Sequence, residues 1–463
     1  MSETIAPPAF DPTWIKKYSR SGPRYTSYPT APVFTEDFGA EEYRALLTQA
    51  DRATSPLSLY FHLPFCQRVC LFCACSVIFT NKRDQGTAYI DLVRREMDLL
   101  LKELAPGRKV DQLHWGGGTP TFLRPEDMAT LWREISDRFE FTPDAEISIE
   151  LDPRETTQEH VAVLKECGFN RASMGVQDVE HKVQYAVNRV QPIELVSGLQ
   201  DWIQAAGFSG TSFDLIYGLP HQTLDTFRAT LDAVLELRPS RFSLFNFAYV
   251  PWLKKHQKGL KEELMPDSEQ RVAIFALSVD RFLEAGYEFI GMDHFALPED
   301  EMTIAQKNGT LHRNFQGYTT RKGLDLLGIG VTSIGELDGG YTQNIKTLPD
   351  YTAALDRGIL PVTRGWTRTA DDRIRYDVIM ELICHFHLDT RKVAERHGID
   401  FDEYFRAELP GLDPFIADGL VVRDGPEIRV SYEGRFVIRN ICMVFDAYLE
   451  RLQSGGQRFS KTV

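Results

Sequence analysis

The chain has 463 residues and a net charge of −14, because 66 acidic residues outnumber 52 basic ones. Hydrophobic residues make up 43% and charged residues 25%, which excludes collagen-like, wholly disordered and small disulfide-scaffold proteins. At about 150 residues per domain the length suggests about three domains, although one α/β barrel can hold about 200–250 residues. The acidic field repels phosphate backbones, so we expect no nucleic acid partner.

Targeting signals are absent from the sequence pattern. There is no run of about 18 or more apolar residues, so we expect no membrane insertion. The N-terminus, MSETIAPPAF, lacks the basic and apolar regions of a secretory signal, so we expect a cytoplasmic protein. In a reducing compartment, the odd count of seven cysteines predicts free thiols and no structural disulfides.

Residues 1–56 are rich in Pro, Ser and Thr and are predicted to form an N-terminal arm. Between residues 12 and 35 this arm carries no acid and four basic residues, which are Lys16, Lys17, Arg20 and Arg24. Either the segment is a solvated basic arm, or it supplies local positive charge to an anionic substrate as part of a lid.

Residues 57–300 alternate short β-rich runs with amphipathic helical stretches. The predicted strands are 57–63, 110–115, 145–151, 170–176, 211–217, 241–248 and 286–291. The predicted helices lie near 86–104, 125–138, 157–167, 192–206, 223–236 and 267–285. The alternation predicts an α/β fold with a parallel sheet and right-handed crossovers. Six or seven units favour a barrel or an incomplete barrel, although periodicity alone leaves a doubly wound sheet open.

The pattern changes after residue 300. Residues 301–370 mix loops with glycine-rich pieces and are predicted to extend the barrel and link it to the C-terminal part of the chain. Residues 371–463 are predicted to form a mainly helical C-terminal domain around one β-hairpin, GLVVRDGPEIRVSYEG, with Asp-Gly at its turn. Such a unit resembles a winged helix, but the acidic balance argues against DNA binding and favours a packing or lid domain.

The strongest chemical signal is a CxxxCxxC run after the first predicted strand, formed by Cys66, Cys70 and Cys73. Three thiolates this close repel one another unless a cation neutralises them, and zinc and an iron–sulfur cluster are the candidates. Structural zinc normally has four protein ligands, and Cys75 is too near Cys73 to supply a second pair. Three cysteines on a loop suit a [4Fe–4S] cluster with one open iron. A zinc knuckle or incidental buried thiols are the alternatives.

The run YFHLPFCQRVCLFCAC (60–75) resembles the radical S-adenosylmethionine superfamily. Further motifs resemble the oxygen-independent coproporphyrinogen III oxidase family within it, namely PRYTSYPT (23–30), QLHWGGGTPT (112–121), EISIELDPRE (146–155), SMGVQD (173–178), DLIYGLP (214–220), GMDHFA (291–296), HRNFQGYTT (312–320) and RNICMVFDAYL (439–449). The cysteine motif specifies only the superfamily. The N-terminal arm and the last two motifs specify the branch.

The resemblance implies an incomplete (β/α)6-type parallel barrel at residues 57–300, the radical SAM core. It implies oxidative decarboxylation of two propionates of coproporphyrinogen III to vinyl groups through 5′-deoxyadenosyl radicals, giving protoporphyrinogen IX in haem biosynthesis. It also implies a [4Fe–4S] cluster, two molecules of S-adenosylmethionine, and an electron donor and acceptor that the sequence does not identify. We expect a monomer. A haem-binding chaperone and a haem-directed methyltransferase of the same superfamily are the alternatives.

The candidate site residues also have a physical interpretation. In EISIELDP the aliphatic residues alternate with polar ones, so Glu150 faces a lumen and can accept hydrogen bonds from ribose hydroxyls or an ammonium group. The same argument applies to Asp214, and a structural ion pair is the alternative. An arginine at position 189 can pair with a carboxylate through two hydrogen bonds, or it is a solvated helix residue. The glycines at 116–118 permit a tight turn and close approach to a ligand.

Residue by residue, the resemblance assigns ligands and cofactor contacts. It implies that Cys66, Cys70 and Cys73 bind the cluster and that Cys75 does not. Around the first S-adenosylmethionine it implicates Tyr60, Gly117, Gly118, Thr119, Glu150 and Ile334. Around the second it implicates Phe72, Gln177, Arg189, Asp214 and Ala248. Buried inert thiols are expected at Cys167, Cys384 and Cys442, and structural roles or substrate contacts at His294 and His312.

Overall fold

A computed structural model describes residues 11–49, 54–457 and 459. The expectation that the N-terminus carries no secretory signal falls on residues 1–10 and lies outside the described residues. Across the described part of the chain, no helix combines the length and the apolar character needed to cross a membrane.

In chain order, the strands are β1 (Leu57–Leu63), β2 (Phe65–Cys66), β3 (Ile78–Phe79), β4 (Val110–Gly117), β5 (Phe141–Leu151), β6 (Arg171–Gln177), β7 (Gly210–Tyr217), β8 (Arg241–Asn246), β9 (Glu288–Gly291), β10 (His294–Ala296), β11 (His312–Asn314), β12 (Gly317–Thr319), β13 (Asp325–Ile329), β14 (Ile334–Leu337), β15 (Gly340–Asn344), β16 (Val362–Thr367), β17 (His387–Asp389), β18 (Val421–Asp424) and β19 (Glu427–Val430). The helices are α1 (Thr13–Tyr18), α2 (Ala40–Leu47), α3 (Asp84–Glu103), α4 (Pro125–Ser136), α5 (Gln158–Glu166), α6 (His181–Ala186), α7 (Ile193–Ala205), α8 (Leu224–Glu236), α9 (Ser268–Glu284), α10 (Glu301–Lys307), α11 (Leu348–Asp356), α12 (Ala370–His385), α13 (Thr390–His397), α14 (Phe401–Tyr404), α15 (Asp413–Ala417), α16 (Ile438–Cys442) and α17 (Leu449–Ser454).

Six strands form the centre of a 12-stranded sheet and run parallel in the order β1, β4, β5, β6, β7, β8. One or more helices follow each of these strands, from α3 after β1 to α9 after β8. The sheet ends at β16 on one side and at β9 on the other, so it is open among the described residues. The predicted α/β class with an incomplete, parallel-stranded core is confirmed.

Both flanks of the sheet differ from the parallel pattern. The seventh predicted strand, 286–291, pairs antiparallel with β10, which itself pairs antiparallel with β8. At the other side β13 lies parallel to β1, and β14, β15 and β16 then continue antiparallel. The glycine-rich pieces, to which the sequence analysis assigned no strands, form β13, β14 and β15. Their glycines allow close backbone approach, since a Cβ on Gly340 would clash with the Trp366 carbonyl oxygen.

Burial alternates along β5 as the sequence predicts. Ile147 and Ile149 are 7% and 0% exposed and belong to the core beneath the helices, while Ser148 and Glu150 face the other side. Helix starts are fixed by caps, as where the Thr157 hydroxyl accepts a hydrogen bond from the backbone N–H of His160 at 3.3 Å. Because the apolar side chains of β5 pack under the helices, the polar side chains of this strand face the lumen.

A second core joins the C-terminal helices to the N-terminal arm. The predicted hairpin forms as β18 and β19, with β17 as a third strand. The arm is packed, because the Tyr28 hydroxyl accepts from the backbone N–H of Ala447 at 2.9 Å. Two basic residues of the arm pair with acids of the chain while staying partly exposed, Lys17 with Asp418 and Arg24 with Asp293.

Candidate active site

The three cysteines of the predicted cluster motif lie on one loop at the carboxyl end of β1. Cys66 ends β2, and Cys70 and Cys73 follow on the loop before β3. Two guanidinium groups, those of Arg154 and Arg189, donate to the Cys70 sulfur at 3.3 and 3.4 Å. These donors place two positive charges beside this sulfur. Three further cysteines are buried, as predicted, and they are Cys167, Cys384 and Cys442.

The electrostatics of the loop fit a cation bound between thiolates. Burial, with smaller contributions from the charges of Cys73 and Cys70, raises the pKa of the Cys66 thiol to about 12 in spite of the hydrogen bond to Thr119. A hydrogen bond from Cys75 lowers the pKa of Cys73 to about 6 in spite of burial. Within residues 11–49, 54–457 and 459, no group of three His, Cys, Asp or Glu side chains is placed to hold a metal ion. The fit to a cluster rests on the donor set, because three thiols on one loop suit a [4Fe–4S] cluster with one open iron.

The glycine loop after β4 packs against the segment that leads to Cys66. Gly117 has φ +111°, and a Cβ there would lie 2.6 Å from the His62 ring. The Gly118 N–H donates to the Leu63 carbonyl at 2.8 Å, and a Gly118 Cβ would clash with backbone. The Thr119 hydroxyl lies 3.4 Å from the Cys66 sulfur. The structure therefore brings the three predicted loop residues to the cysteine loop.

Glu150 ends β5 beside this loop. Its carboxylate accepts from the Gly117 N–H at 3.0 Å and contacts His114 Nε2 at 3.4 Å. Tyr60 stacks on the His114 ring, and its hydroxyl lies 3.0 Å from His62 Nδ1. Burial alone would raise the pKa of Glu150, but the hydrogen bonds and charge of His114 and the Gly117 N–H hold that pKa below its usual value. The carboxylate is thus an ionised acceptor at neutral pH.

Arg189 is buried, so its interpretation as a solvated helix residue is wrong. It donates to Asp152 at 3.0 Å and to the Gly175 carbonyl at 2.6 Å, and Arg154 donates to the same carboxylate at 2.6 Å. Burial would raise the pKa of Asp152, but the two arginines hold it well below its usual range. This ion-pair network joins the Cys70 sulfur to the end of β6.

Gln177 ends β6, and Asp214 lies inside the neighbouring strand β7. Gln177 has φ +68°, and its side-chain oxygen is buried without a hydrogen-bond partner. Asp214 accepts from the Ser173 hydroxyl at 3.1 Å. Burial and the charge of Glu150 together raise the pKa of Asp214 to about 7, in spite of hydrogen bonds from Ser243 and Ser173. The carboxylates of Glu150 and Asp214 therefore interact across the lumen, and Gln177 offers an acceptor to a bound group.

Gln257 holds two predicted contact residues together, although the sequence did not indicate it. Its side-chain amide donates to the Phe72 carbonyl at 3.0 Å and to the Ala248 carbonyl at 3.2 Å. Its oxygen accepts from the Val250 N–H at 2.6 Å. The side chain is fully buried, so it fixes the loop after β8 to the cysteine loop.

Two neighbours of Gln257 hold the same loop. His256 Nε2 lies 2.7 Å from the Cys73 carbonyl oxygen, and Lys254 donates to the Cys75 carbonyl at 2.8 Å. The side chains of Lys254, His256 and Gln257 thus contact three carbonyl groups of the cysteine loop, those of Cys75, Cys73 and Phe72.

Ile334 and Ala248 lie on opposite flanks of the parallel strands. Ile334 begins β14, and its carbonyl packs so closely on Gly328 that a Cβ there would lie 2.5 Å away. Gly328 pairs with Tyr60, which places Ile334 near the first group of predicted residues. Ala248 follows β8, at the other side of the parallel strands in the sheet order.

Five polar residues of the site were missed by sequence reasoning, and they are His62, His114, Asp152, Arg154 and Gln257. The alternation that identified Glu150 on β5 could also have identified His114 on β4. His114 is two residues from Gln112, so the two polar side chains lie on the same face of the strand. Asp152 and Arg154 lie beyond the end of β5, and Gln257 lies in a 3-10 helix, where no alternation exists.

Comparisons with known proteins agree with this geometry. The radical SAM superfamily model matches residues 60–234, and the HemN C-terminal domain model matches residues 369–437. The oxygen-independent coproporphyrinogen III oxidase of Salmonella typhimurium is 46% identical over 457 residues, covering 98% of each chain. That of Synechocystis sp. is 43% identical and covers 100% of both chains. The solved structure of coproporphyrinogen III oxidase (HemN) from Escherichia coli, described as a radical SAM enzyme, has a TM-score of 0.90 at 44% identity, covering 95% of this chain and 99% of that one.

The two family models fall on separate parts of the fold. The first contains the cysteine loop and most of the parallel strands, and the second contains α12 and the three-stranded sheet of β17, β18 and β19. Membership of the radical SAM superfamily implies a [4Fe–4S] cluster and S-adenosylmethionine, for which the cysteine loop offers the thiols. The resemblance is confirmed, and the chain belongs to the oxygen-independent coproporphyrinogen III oxidase family of the radical S-adenosylmethionine superfamily.

Proposed function

We propose that the chain catalyses the oxygen-independent oxidative decarboxylation of coproporphyrinogen III to protoporphyrinogen IX in haem biosynthesis. Two propionate side chains become vinyl groups. Each loses one hydrogen atom from its β-carbon, carbon dioxide, and one electron that a separate one-electron acceptor takes up. When bound, the cluster and S-adenosylmethionine supply the radical that removes the hydrogen atom. Full-length identity of 43–46% to proteins named for this activity supports the proposal.

One observation carries the proposal, which is the contact between the glycine loop and the cysteine loop. The Gly117 N–H points at an ionised Glu150, and Thr119 lies beside the Cys66 sulfur. The ammonium group of a small zwitterionic ligand needs a carboxylate. The ionised Glu150 carboxylate meets that need beside the loop that reaches the Cys66 sulfur, which supports binding of an amino acid end beside the cluster.

The assignment of cluster ligands and cofactor contacts is part of the proposal. Cys66, Cys70 and Cys73 would bind the cluster, with Arg154 and Arg189 balancing the charge at Cys70. The first S-adenosylmethionine would contact Tyr60, Gly117, Gly118, Thr119, Glu150 and Ile334. A second molecule would contact Phe72, Gln177, Arg189, Asp214 and Ala248.

The unsatisfied acceptor of Gln177 and the raised pKa of Asp214, about 7, support the second molecule. A bound hydroxyl or ammonium group would satisfy the amide oxygen and stabilise the carboxylate in its charged form. Positioning residues complete this side, because Gln257 fixes the Phe72 and Ala248 carbonyls.

The wider setting also belongs to the proposal. We propose a cytoplasmic monomer that exchanges electrons with a donor and an acceptor of unidentified nature. We divide the chain into an arm at 1–56, a core at 57–300, an extension at 301–370 and a C-terminal domain at 371–463. The separate family matches at 60–234 and 369–437 support the second and fourth of these units.

An anaerobic assay tests the function. The cluster is reconstituted, and dithionite, S-adenosylmethionine, coproporphyrinogen III and cell extract as electron acceptor are added. We expect protoporphyrinogen by mass, none with Cys70→Ser, and unchanged yield with Cys167→Ser, which removes a buried thiol remote from the loop.

Other outcomes of this assay contradict the proposal. Cleavage of S-adenosylmethionine without loss of carbon dioxide would point to the methyltransferase alternative. No consumption of either compound by protein with an intact cluster would point to the chaperone alternative.

A further inference from the structure

A cluster of arginines lies beside the lumen where the N-terminal arm, β10, β11 and α16 meet. Arg24 of the arm donates to Asp293 at 2.5 Å. Arg439 of α16 donates to two carbonyl oxygens of the arm and is 5% exposed. Arg313 of β11 is 2% exposed and lies over the Tyr318 ring at 4.7 Å. None of these arginines is among the predicted cofactor contacts.

Two of the three nitrogens of the Arg313 guanidinium lack acceptors among the described residues. Its Nε and Nη1 atoms are buried and have no hydrogen-bond partner, and the same holds for Nδ1 of the adjacent His294. Burying a charged donor without an acceptor is costly, and the Tyr318 ring satisfies only the face of the cation. The cluster therefore needs an acceptor that the described side chains do not supply.

The electrostatics show which sign of ligand the cluster would take. Burial lowers the pKa of Arg439 to about 9, with the charges of Arg24 and Arg313 adding to that effect. Burial and the charge of Arg313 lower the pKa of His294 to about 3, so its imidazole is neutral near pH 7. Asp293 offsets part of this repulsion, since its charge raises the pKa of Arg439. Three arginines face this one acid, so a further anion would relieve the repulsion that remains.

The cluster is continuous with the cofactor side of the lumen. Asp214 on β7 pairs in register with Ser243 on β8, and Phe245 follows two residues later on the same face. The Arg24 guanidinium lies 5.6 Å from the Phe245 ring centre, and the His294 ring lies 6.3 Å from it. The Arg24 side chain is 33% exposed, so the cluster can be approached from this face.

We propose that Arg313 and Arg24 bind a carboxylate of the substrate, a propionate that is not the one reacting. A guanidinium donates charged N–H groups to a carboxylate, and one unpaired donor of Arg313 would hold a carboxylate oxygen together with Arg24. Asp293 holds Arg24 in place before the substrate arrives. Since the substrate is the one named in the proposed function, this inference rests on that function.

Anaerobic equilibrium dialysis tests the inference on the full chain with its cluster reconstituted. The ligands are coproporphyrinogen III and its tetramethyl ester, which lacks free carboxylates. The variants are Arg313→Gln and Arg24→Gln. Arg396→Gln is the matched control, because that residue pairs with Asp377 on the C-terminal domain. Cluster absorbance and thermal unfolding report whether each variant is intact.

We expect Arg313→Gln to weaken binding of the free acid by roughly 10- to 100-fold, because the variant loses a charged hydrogen bond to the carboxylate. Binding of the ester should change little, and Arg396→Gln should behave as the unchanged chain. Arg24→Gln should weaken acid binding less, because Arg24 is already paired. If Arg313→Gln does not fold, Arg24→Gln and Arg313→Lys provide the test. Arg313→Lys should weaken binding of the free acid, because lysine cannot place an N–H group where the planar guanidinium does.

Two outcomes separate this inference from the proposed function. If the unchanged chain binds and converts coproporphyrinogen III but the arginine variants bind it equally well, the carboxylate site is wrong and the function stands. If the unchanged chain neither binds nor converts it, the function is wrong and this site fails with it.

Discussion

The two sides of the lumen differ in how far their polar groups satisfy one another. On the side of β1, β4 and β5, Tyr60, His62, His114 and Glu150 are linked by hydrogen bonds and stacking. On the side of β6 to β11, Gln177 and Arg313 carry buried atoms without partners. The first side is organised before any ligand binds, whereas the second side would be completed by ligands.

Gly117→Ala should have the largest effect, because it breaks the preorganised side. A Cβ at position 117 would sit 2.6 Å from the His62 ring, and φ is +111°. We expect a stability loss of about 1–3 kcal/mol and roughly a 100-fold loss of turnover. Urea unfolding and the anaerobic assay measure the two effects.

Gly107→Ala is the matched control for Gly117→Ala. Gly107 also has a positive φ, +80°, but no atom lies within 4 Å of the position that a Cβ would take there. It should cost about 1 kcal/mol and leave turnover unchanged. Equal turnover losses in both variants would show that backbone strain, and not the contact with His62, explains the effect.

Asp214→Asn tests the side of the lumen that ligands would complete, and its expected effect, on the pH dependence of stability, is smaller. The pKa of Asp214 is raised from 3.8 to about 7, chiefly by burial, so the folded state holds its proton more tightly than the unfolded state. Its contribution to stability is therefore present below about pH 4 and is lost as the pH rises toward about 7. The asparagine variant should lack this loss, which amounts to about 1–3 kcal/mol.

Urea unfolding between pH 4 and 8 measures the difference between the asparagine variant and the unchanged chain. Asp201→Asn, at an exposed position of α7, is the control and should follow the unchanged chain. A pH dependence that is identical in Asp214→Asn and the unchanged chain would contradict the burial of this carboxylate.

The parallel core was predictable from the sequence, and the flanks were not. The strands from β1 to β8 that form the core carry continuous or alternating apolar residues between amphipathic helices, and their predicted bounds agree with the structure to within a few residues. The strands β13 to β15 are short and contain Gly328, Gly335 and Gly340, whose close backbone contacts leave no side-chain pattern. Their pairing depends on long-range contacts that local sequence does not encode.

The candidate site was predictable where the chain alternates or carries a motif. The cysteine run and the position of Glu150 follow from spacing and alternation. Asp152, Arg154 and Gln257 were missed because each acts through a partner distant in sequence, such as Cys70 for Arg154 at 84 residues. Only the folded geometry reveals such pairs.

Counting the S-adenosylmethionine molecules bound per chain tests the difference between the two sides of the lumen most directly. Equilibrium dialysis is performed without oxygen on protein with a reconstituted cluster and coproporphyrinogen III present. We predict two molecules in the unchanged chain and one in Gln177→Ala, because Gln177 belongs to the side that ligands complete. One molecule in the unchanged chain, or two in the variant, would contradict this prediction.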